Sequence, residues 1–288
     1  MRLNSKMSLA EAFKQASVFL QEQGIENTSV RDYWCQVFDL QLTDVVLRLQ
    51  QPISEEEAQR FWHVLTRLAQ HEPIQYITQK AYIGDDVFKV TSDTLIPRED
   101  TYGLVEMGSQ YLSLYPQAQV LDIGTGTGYI AILLAKNAPA ATVTAVDISA
   151  AALEVAKVNA QLHQVAVEFV QSDLCQQLPK DKRYDLIVSN PPYIAEDELS
   201  LMDESVKRFE PKLALFAEDE GLAIYERLAA TLPNYLSSKG QILLEIGFRQ
   251  GLMVQEIFQA AFPQAMITIH QDLNGLDRYV KISLREKE

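Results

Sequence analysis

This 288-residue chain predicts an α/β fold, a mostly parallel doubly wound sheet preceded by a small helical domain and a β-hairpin linker. Three patterns lead there. Capping boxes with helix-period apolar residues fill the first seventy positions, a run of β-formers broken by Gly84-Asp85 follows, and from Gln119 onward strands alternate with helices. The boundaries expected are 1–71 for the helical domain, 72–98 for the linker and 99–288 for the sheet domain.

The first helix opens at the capping box Ser8-Leu9-Ala10-Glu11, in which serine and glutamate satisfy free N–H groups. Leu9, Ala12, Phe13, Ala16, Phe19 and Leu20 form its apolar stripe, and Gly24 stops it. A second helix is expected over Ser29–Asp39 and a short one after Thr43. Ser54-Glu55-Glu56-Glu57 repeats the capping box before Phe61, Leu65 and Leu68. Between Glu72 and Arg98, the strand-formers Ile74, Tyr76, Ile77, Tyr82, Ile83, Val87, Phe88 and Val90 predict the hairpin. Pro97 marks the approach to a helix near Thr101–Tyr115. Strands are expected at Val120–Ile123, Thr142–Val146, Val167–Val170, Leu186–Val188, Gln241–Ile246, Met266–Ile269 and Tyr279–Leu284. Helices are expected through Lys136 and over Ala150–Leu162, Gly221–Leu236 and Gly251–Ala261. Such a sheet takes ligands at the carboxyl ends of its strands.

An apolar fraction of 47% suffices for a real core and excludes disorder as the main state. With 25 Lys and Arg against 39 Asp and Glu, the net charge is −14. Up to Val90 there are 9 basic against 12 acidic residues, and beyond it 16 against 27, so neither part is basic. Phosphate-driven binding of a nucleic-acid duplex normally needs a basic face, so no direct nucleic-acid partner is expected. No segment reaches the roughly 18 uninterrupted apolar residues of a membrane span. The opening Met1-Arg2-Leu3-Asn4-Ser5-Lys6 leads into a charged amphipathic stretch rather than an apolar leader. Cys35 and Cys175 lie far apart and match neither a disulfide framework nor a zinc pattern. A cytoplasmic monomer without membrane contact is expected. His63, His71, His163 and His270 have no metal-ligand spacing and read as surface or core residues, so no metal is expected. Trp34 and Trp62 read as helical-domain core, and Glu218-Asp219-Glu220 as a solvated helix start.

The chemistry concentrates at three strand ends. Asp122-Ile123-Gly124-Thr125-Gly126-Thr127-Gly128 closes the first strand of the sheet and opens a helix. Its glycines let the backbone turn tightly and approach a ligand. A dinucleotide site prefers G-x-G-x-x-G, with a helix N-terminus facing a pyrophosphate. Here the spacing is G-x-G-x-G, and Asp122 would repel a pyrophosphate but favour a sulfonium and an ammonium. The cofactor expected is therefore S-adenosylmethionine, with S-adenosylhomocysteine as product, held by Asp122, Gly124, Thr125, Gly126, Thr127 and Gly128. Asp147 ends the next strand and reads as a ribose-hydroxyl acceptor or as a helix N-cap. Asp173, with Leu174, follows the third strand and reads as an adenine contact or an ordinary loop aspartate.

The most specific feature is Ser189-Asn190-Pro191-Pro192-Tyr193, directly after the apolar strand Tyr184–Val188. Two prolines pin the backbone, asparagine offers an amide and tyrosine a flat ring. The motif is similar to the Asn-Pro-Pro-Tyr of methyltransferases that act on planar nitrogens. An amide nitrogen is a poor nucleophile because its lone pair is delocalised. The Asn190 side-chain oxygen, also counted among the cofactor contacts, and the Pro191 carbonyl can accept its two N–H bonds and hold it in line. Tyr193 is expected to pack on the planar group.

Together with Glu72-Pro73-Ile74-Gln75-Tyr76, Leu95-Ile96-Pro97-Arg98 and Glu210-Pro211-Lys212-Leu213-Ala214-Leu215, these motifs occur in the order seen in the peptide-chain-release-factor glutamine methyltransferases, the HemK/PrmC family, which the chain resembles over essentially its whole length. The resemblance implies a class I, Rossmann-like S-adenosylmethionine-dependent methyltransferase sheet. It further implies methylation of the glutamine side-chain nitrogen (N5) in the Gly-Gly-Gln loop of class-1 translation release factors. Asn190, Pro191 and Tyr193 would be catalytic, Arg98 and Pro192 would join them at the substrate, and the helical domain would recognise the protein substrate. One departure stands out. Where the family continues its Ile-Pro-Arg with Pro-Glu-Thr-Glu, this chain has Glu99-Asp100-Thr101-Tyr102. Two other readings remain at this stage: a nucleic-acid base methyltransferase sharing Asn-Pro-Pro-Tyr, and a non-catalytic adaptor.

Overall fold

The computed structural model describes residues 3–25, 29–195, 198–199 and 202–284. Within the expected helical domain, residues 1–2 and 26–28 therefore lie outside the described residues. The chain divides into two compact units, Met1–Lys80 with Asp203–Phe209, and Ala81–Met202 with Glu210–Glu288.

The first unit is helical. Helices α1 (Leu9–Glu22) and α4 (Glu55–Leu68) both open with complete capping boxes, on Ser8 with Glu11 and on Ser54 with Glu57. Helices α2 (Val30–Phe38) and α3 (Leu42–Arg48) run between them. Trp34 is fully buried, with Phe13, Phe38 and Phe61 at ring distances of 5.7, 4.3 and 4.9 Å. Trp62 packs at the edge of the same core, against Phe19. Ile74–Thr78, expected as part of the hairpin, is instead a short helix, α5. Ile74 and Ile77, one turn apart, both pack into the helical core, and that burial outweighs their β propensity.

The second unit opens one residue into β1 (Lys80–Ile83), which pairs with β2 (Asp86–Lys89) in a hairpin turned at Gly84-Asp85, and continues with helix α6 (Tyr102–Leu114). The main sheet contains β3 (Gln119–Ile123), β4 (Thr142–Asp147), β5 (Glu168–Gln171) and β6 (Tyr184–Ser189). It is completed by β7 (Leu236–Glu245), β8 (Met266–Gln271) and β9 (Asp277–Ser283). Their spatial order is β5-β4-β3-β6-β7-β9-β8, parallel from β5 to β7, with β9 antiparallel to both its neighbours. Helices α7 (Tyr129–Asn137) and α8 (Ala150–Leu162) connect β3 to β4 and β4 to β5. Helix α9 (Glu204–Phe209) counts with the helical unit, while α10 (Ala223–Thr231) and α11 (Gly251–Ala261) precede β7 and β8.

The sheet separates two apolar layers. Val120, Val143, Leu186 and Leu243 pack under α6 and α7, while Leu121, Ile187, Ile242 and Leu244 pack under α10 and α11. This alternation follows the two-residue period of a strand buried on both faces. After β5 the chain returns to the other side of β3, so the strand order reverses there and leaves a crevice at the carboxyl ends of β3, β4 and β6. The stretch Gly221–Leu236, expected as one helix, splits into α10, a 3₁₀ turn at Leu232–Asn234 and the start of β7. Glu218-Asp219-Glu220 is exposed but does not begin α10. Asp219 and Glu220 take left-handed φ angles of 53° and 54°, which delays the helix to Ala223. Among the described residues no helix is long and apolar enough to cross a membrane.

Candidate active site

The crevice holds a cavity of about 350 Å³. Its floor is the glycine turn after β3. Gly124 and Gly126 have φ angles of +73° and +55°, and a Cβ on either would meet open space, so the bare backbone itself forms the wall. The turn is tied to β4 by Gly124 and Thr125, whose N–H groups both donate to the Val146 carbonyl at 2.9 and 3.0 Å. Gly128 does different work: a Cβ there would lie 2.8 Å from Ile132 Cδ1 and 3.1 Å from Ala156 Cβ, so its missing side chain lets the turn press onto α7 and α8.

Asp122 is fully buried beneath this turn rather than on the cavity wall. Its Oδ2 accepts the Thr125 hydroxyl at 2.6 Å and the Ala131 N–H at 3.3 Å, and its Oδ1 is buried without a partner. Burial pushes this carboxyl up to about 7, against the pull of those two donors. Asp147, at the end of β4, does line the cavity. One of its oxygens accepts the Gly126 N–H and the other the Ser149 N–H, each at 2.9 Å, leaving a lone pair on each for a further donor. Burial raises its pKa, and those N–H groups oppose the rise.

Asn190 follows β6, whose last residue, Ser189, donates its hydroxyl to the Ile123 carbonyl at 2.7 Å. The Asn190 side chain donates through Nδ2 to the Thr101 hydroxyl oxygen at 3.1 Å. With its nitrogen committed, Oδ1 is the acceptor left for a ligand. Pro191 and Pro192 continue the same wall. Asp173 and Leu174 line the far side, with Asp173 paired to Arg227 at 2.7 Å. Arg98 lines the wall too and pairs with the buried Glu210. The structure thus gathers Arg98, Gly124, Thr125, Gly126, Thr127, Asp147, Asp173, Leu174, Asn190, Pro191 and Pro192 around one cavity.

Three expected site residues lie off that wall: Asp122, Gly128 and Tyr193. Tyr193 packs instead against the apolar layer under α10 and α11, and its hydroxyl donates to Glu245 at 3.4 Å. Its backbone carbonyl accepts the Gln250 amide at 2.9 Å.

Two family models match the chain, "PrmC N-terminal domain" over residues 11–78 and "Methyltransferase small domain" over residues 104–212. A release factor glutamine methyltransferase from Lactococcus lactis subsp. lactis is 43% identical over 86% of this chain and 91% of its own. One from Enterococcus faecalis is 40% identical over 93% and 96%. The chain belongs to the release factor glutamine methyltransferase family. Among solved structures, the hMettl16 catalytic domain in complex with MAT2A 3′UTR hairpin 6 aligns at a TM-score of 0.54 and 15% identity, over 69% of this chain and 76% of its own. That likeness is one of fold.

In this family member, several residues to which the sequence assigns no site role support the cavity. Asn159 is fully buried on α8 and bridges β2 to the glycine turn. Its Oδ1 accepts the Lys89 N–H at 2.6 Å, and its Nδ2 donates to the Lys89 and Thr127 carbonyls at 3.0 and 2.8 Å. The signal was an asparagine in step with Ala152, Val155 and Ala156 on the apolar stripe, where a polar group must find partners. Glu245 follows the apolar run Ile242-Leu243-Leu244 at the carboxyl end of its strand, where Asp122 and Asp147 stand in theirs. Thr101 became a candidate only through its contact with Asn190. Arg227 has no sequence signal, and Glu210, although it opens one of the family motifs, gives no local sign of its pairing with Arg98, because both partners are remote along the chain.

The raised carboxyl of Asp122 fixes a sign. The folded state holds its proton up to about pH 7 while the unfolded chain releases it near pH 4, so this group makes stability fall as pH rises across that window. Asp122→Asn should therefore lose less stability than the parent protein between pH 4 and pH 7, read by urea unfolding at each pH. An equal loss in both proteins would show that Asp122 is ionised when folded.

Proposed function

We propose that this chain transfers a methyl group from S-adenosylmethionine to the side-chain amide nitrogen (N5) of the glutamine in the Gly-Gly-Gln motif of class-1 release factors. The observation that carries the reading is Asn190, held by Thr101 with its Oδ1 free on a wall shared with the glycine turn. The names of the relatives supply the substrate.

The residues present suit the donor. The side-chain-free arc at Gly124 and Gly126 leaves room for the methionine end, and Asp147 keeps one lone pair on each oxygen for the two ribose hydroxyls. Asp173 and Leu174 would flank the adenine. When bound, S-adenosylmethionine supplies an electrophilic methyl on a sulfonium. The protein's part is to prepare the nitrogen. Asn190 Oδ1 and the Pro191 carbonyl accept the two amide N–H bonds, which fixes the nitrogen's direction and strengthens as charge develops on it. The Pro191-Pro192 pair keeps that carbonyl from rotating. Pairing with Glu210 holds the Arg98 guanidinium at the cavity rim, where it can meet backbone carbonyls of the protein substrate.

A nucleic-acid base as substrate is not favoured, because a net charge of −14 opposes a phosphate backbone. Methyl incorporation from labelled donor into release factor, DNA and ribosomal RNA separates the readings. Label in the release factor alone is expected, and label in either nucleic acid instead would reject the proposal. The helical unit is proposed to dock the protein substrate. On α3, Leu42, Val46 and Leu47 are exposed, at 51, 50 and 79%. Leu47→Asp should raise KM for release factor and leave kcat and donor affinity alone, and an unchanged KM would remove this helix from the docking surface.

Asp147→Ala should weaken donor binding by about tenfold or more, the loss of two hydrogen bonds to a charged acceptor, while leaving the protein folded. Calorimetry that found donor affinity intact, or tight NAD binding, would reject the assignment. Asn190→Ala should keep donor affinity but lower single-turnover transfer at saturating donor by about a hundredfold, as for one preorganised polar contact. Wild-type transfer by that variant would end the amide-holding mechanism.

A further inference from the structure

We propose that Glu245 is a positioning residue which, through the Thr101 hydroxyl, decides which way round the Asn190 amide is held. This rests on the reading of Asn190 as the group that holds the substrate amide. Thr101 is buried at 4% exposure, and its oxygen already accepts from Asn190 Nδ2. Its single proton needs an acceptor. The Thr101 hydroxyl neighbours the Glu245 carboxyl and favours its charged form. Glu245 is itself 2% exposed, with Oε1 taken by the Tyr193 hydroxyl and Oε2 buried without a partner. A buried hydroxyl and a buried orphan acceptor therefore lie side by side at the back of the catalytic asparagine.

The polarity of this chain of bonds depends on one proton. As a carboxylate, Glu245 can only accept, so Thr101 donates to it and has only its oxygen to offer Asn190. Asn190 must then present Nδ2 to Thr101, as observed, which leaves Oδ1 for the substrate. As a neutral acid, Glu245 can donate to Thr101 instead, which frees the Thr101 proton for Asn190 Oδ1. The flipped amide then becomes equally acceptable, and it would turn an NH₂ toward a substrate NH₂. Methyl transfer thus needs Glu245 ionised.

The groups around Glu245 balance this proton. Arg278 on β9 favours the charge; Asp100 ahead of α6 opposes it; and Tyr129, Tyr193, Tyr225 and Tyr279 face it from α7, the loop after β6, α10 and β9. With burial the largest influence, the carboxyl is pushed up to about 7, within the range where the switch has effect.

The test follows single-turnover transfer to release factor at saturating donor across pH, and in parallel the NMR signals of the Asn190 side-chain NH₂, assigned by their loss in Asn190→Ala. The wild-type rate should rise with pH about a midpoint near 7, and the Asn190 signals should shift over the same range. Glu245→Gln should lose that rise and the shift, and at pH 8 transfer roughly tenfold or more slowly with donor affinity unchanged. Thr101→Val should match it, Thr101→Ser should restore the rate, and the Glu245→Gln, Thr101→Val double variant should be no slower than either single one. A pH profile unchanged in Glu245→Gln, fully additive losses, or Asn190 signals that ignore pH would each overturn the proposal. Should Glu245→Gln fail to fold, the Thr101 pair and the wild-type signals decide. A wild-type protein inactive on release factor would reject the proposed function, while the Asn190 signals would still judge the relay.

Discussion

The crevice depends on one buried acid. β3 is the central strand where the order reverses, and the chain must leave its carboxyl end without filling the space above it. Gly124 and Gly126 keep that space clear but have no side chains with which to hold their own conformation. Asp122 supplies the hold from below, gripping Thr125 and the first turn of α7 through a single oxygen. Burying a carboxyl is costly, which is why its pKa is driven up to about 7, and the two donors offset only part of that cost. Gly124 and Thr125 on the Val146 carbonyl, and Gly126 on Asp147, then make the turn, β4 and the start of α7 a single piece. Everything on that wall inherits its position from this piece.

The opposite wall is organised by hydrogen-bond direction more than by packing. The loop before α6 departs from the family's Pro-Glu-Thr-Glu at Glu99, Asp100 and Tyr102, yet the contacts it makes avoid most of those side chains. It is anchored by the Asp100 backbone carbonyl, which accepts the Tyr279 hydroxyl, and by Thr101 beneath Asn190. Tyr102 is 42% exposed at the first turn of α6. The changed positions are thus mainly those whose side chains the site does not lean on, and the threonine that it does lean on is present. Asp100 is the exception, since its carboxylate lies 3.7 Å from Arg278 and so bears on the charge around Glu245.

Much of this was legible beforehand, for reasons specific to each element. Capping boxes at Ser8 and Ser54 are local hydrogen-bond patterns and need no tertiary context, so both helix starts were found. The central strands carry apolar runs at Val120-Leu121, Leu186–Val188 and Ile242–Leu244, each followed by a polar residue, and the glycine turn and Asn-Pro-Pro-Tyr follow two of them. Ile74–Thr78 was misread because β-branched and aromatic residues state a preference, whereas their burial side by side in a helical core is a property of the folded unit. Tyr193 was misread for a related reason. Its ring is attractive as a stacking surface, but the Gln250 bond to its own carbonyl and the Glu245 contact of its hydroxyl draw it into the core. Asn159 and Thr101 act through partners dozens of positions away, a pairing no local pattern announces.

Three acids stand at the carboxyl ends of three strands here, and the same sequence signal yields three different environments. In a doubly wound sheet, carboxyl ends of strands face the N-termini of the following helices, so an acid there can meet N–H donors. Asp122 finds Ala131 in α7, and Asp147 finds Ser149 ahead of α8. Glu245 instead lies among Thr101, Tyr193 and Arg278. The pattern therefore marks the functional edge of the sheet without assigning the work. What assigns it is the number of lone pairs still facing the cavity once the protein's own donors have been served. For Asp147 that is one on each oxygen, at a group that lines the cavity. Asp122 and Glu245 each retain an orphan oxygen, but it is sealed beneath the wall, where it can orient what lies above and cannot touch a ligand itself.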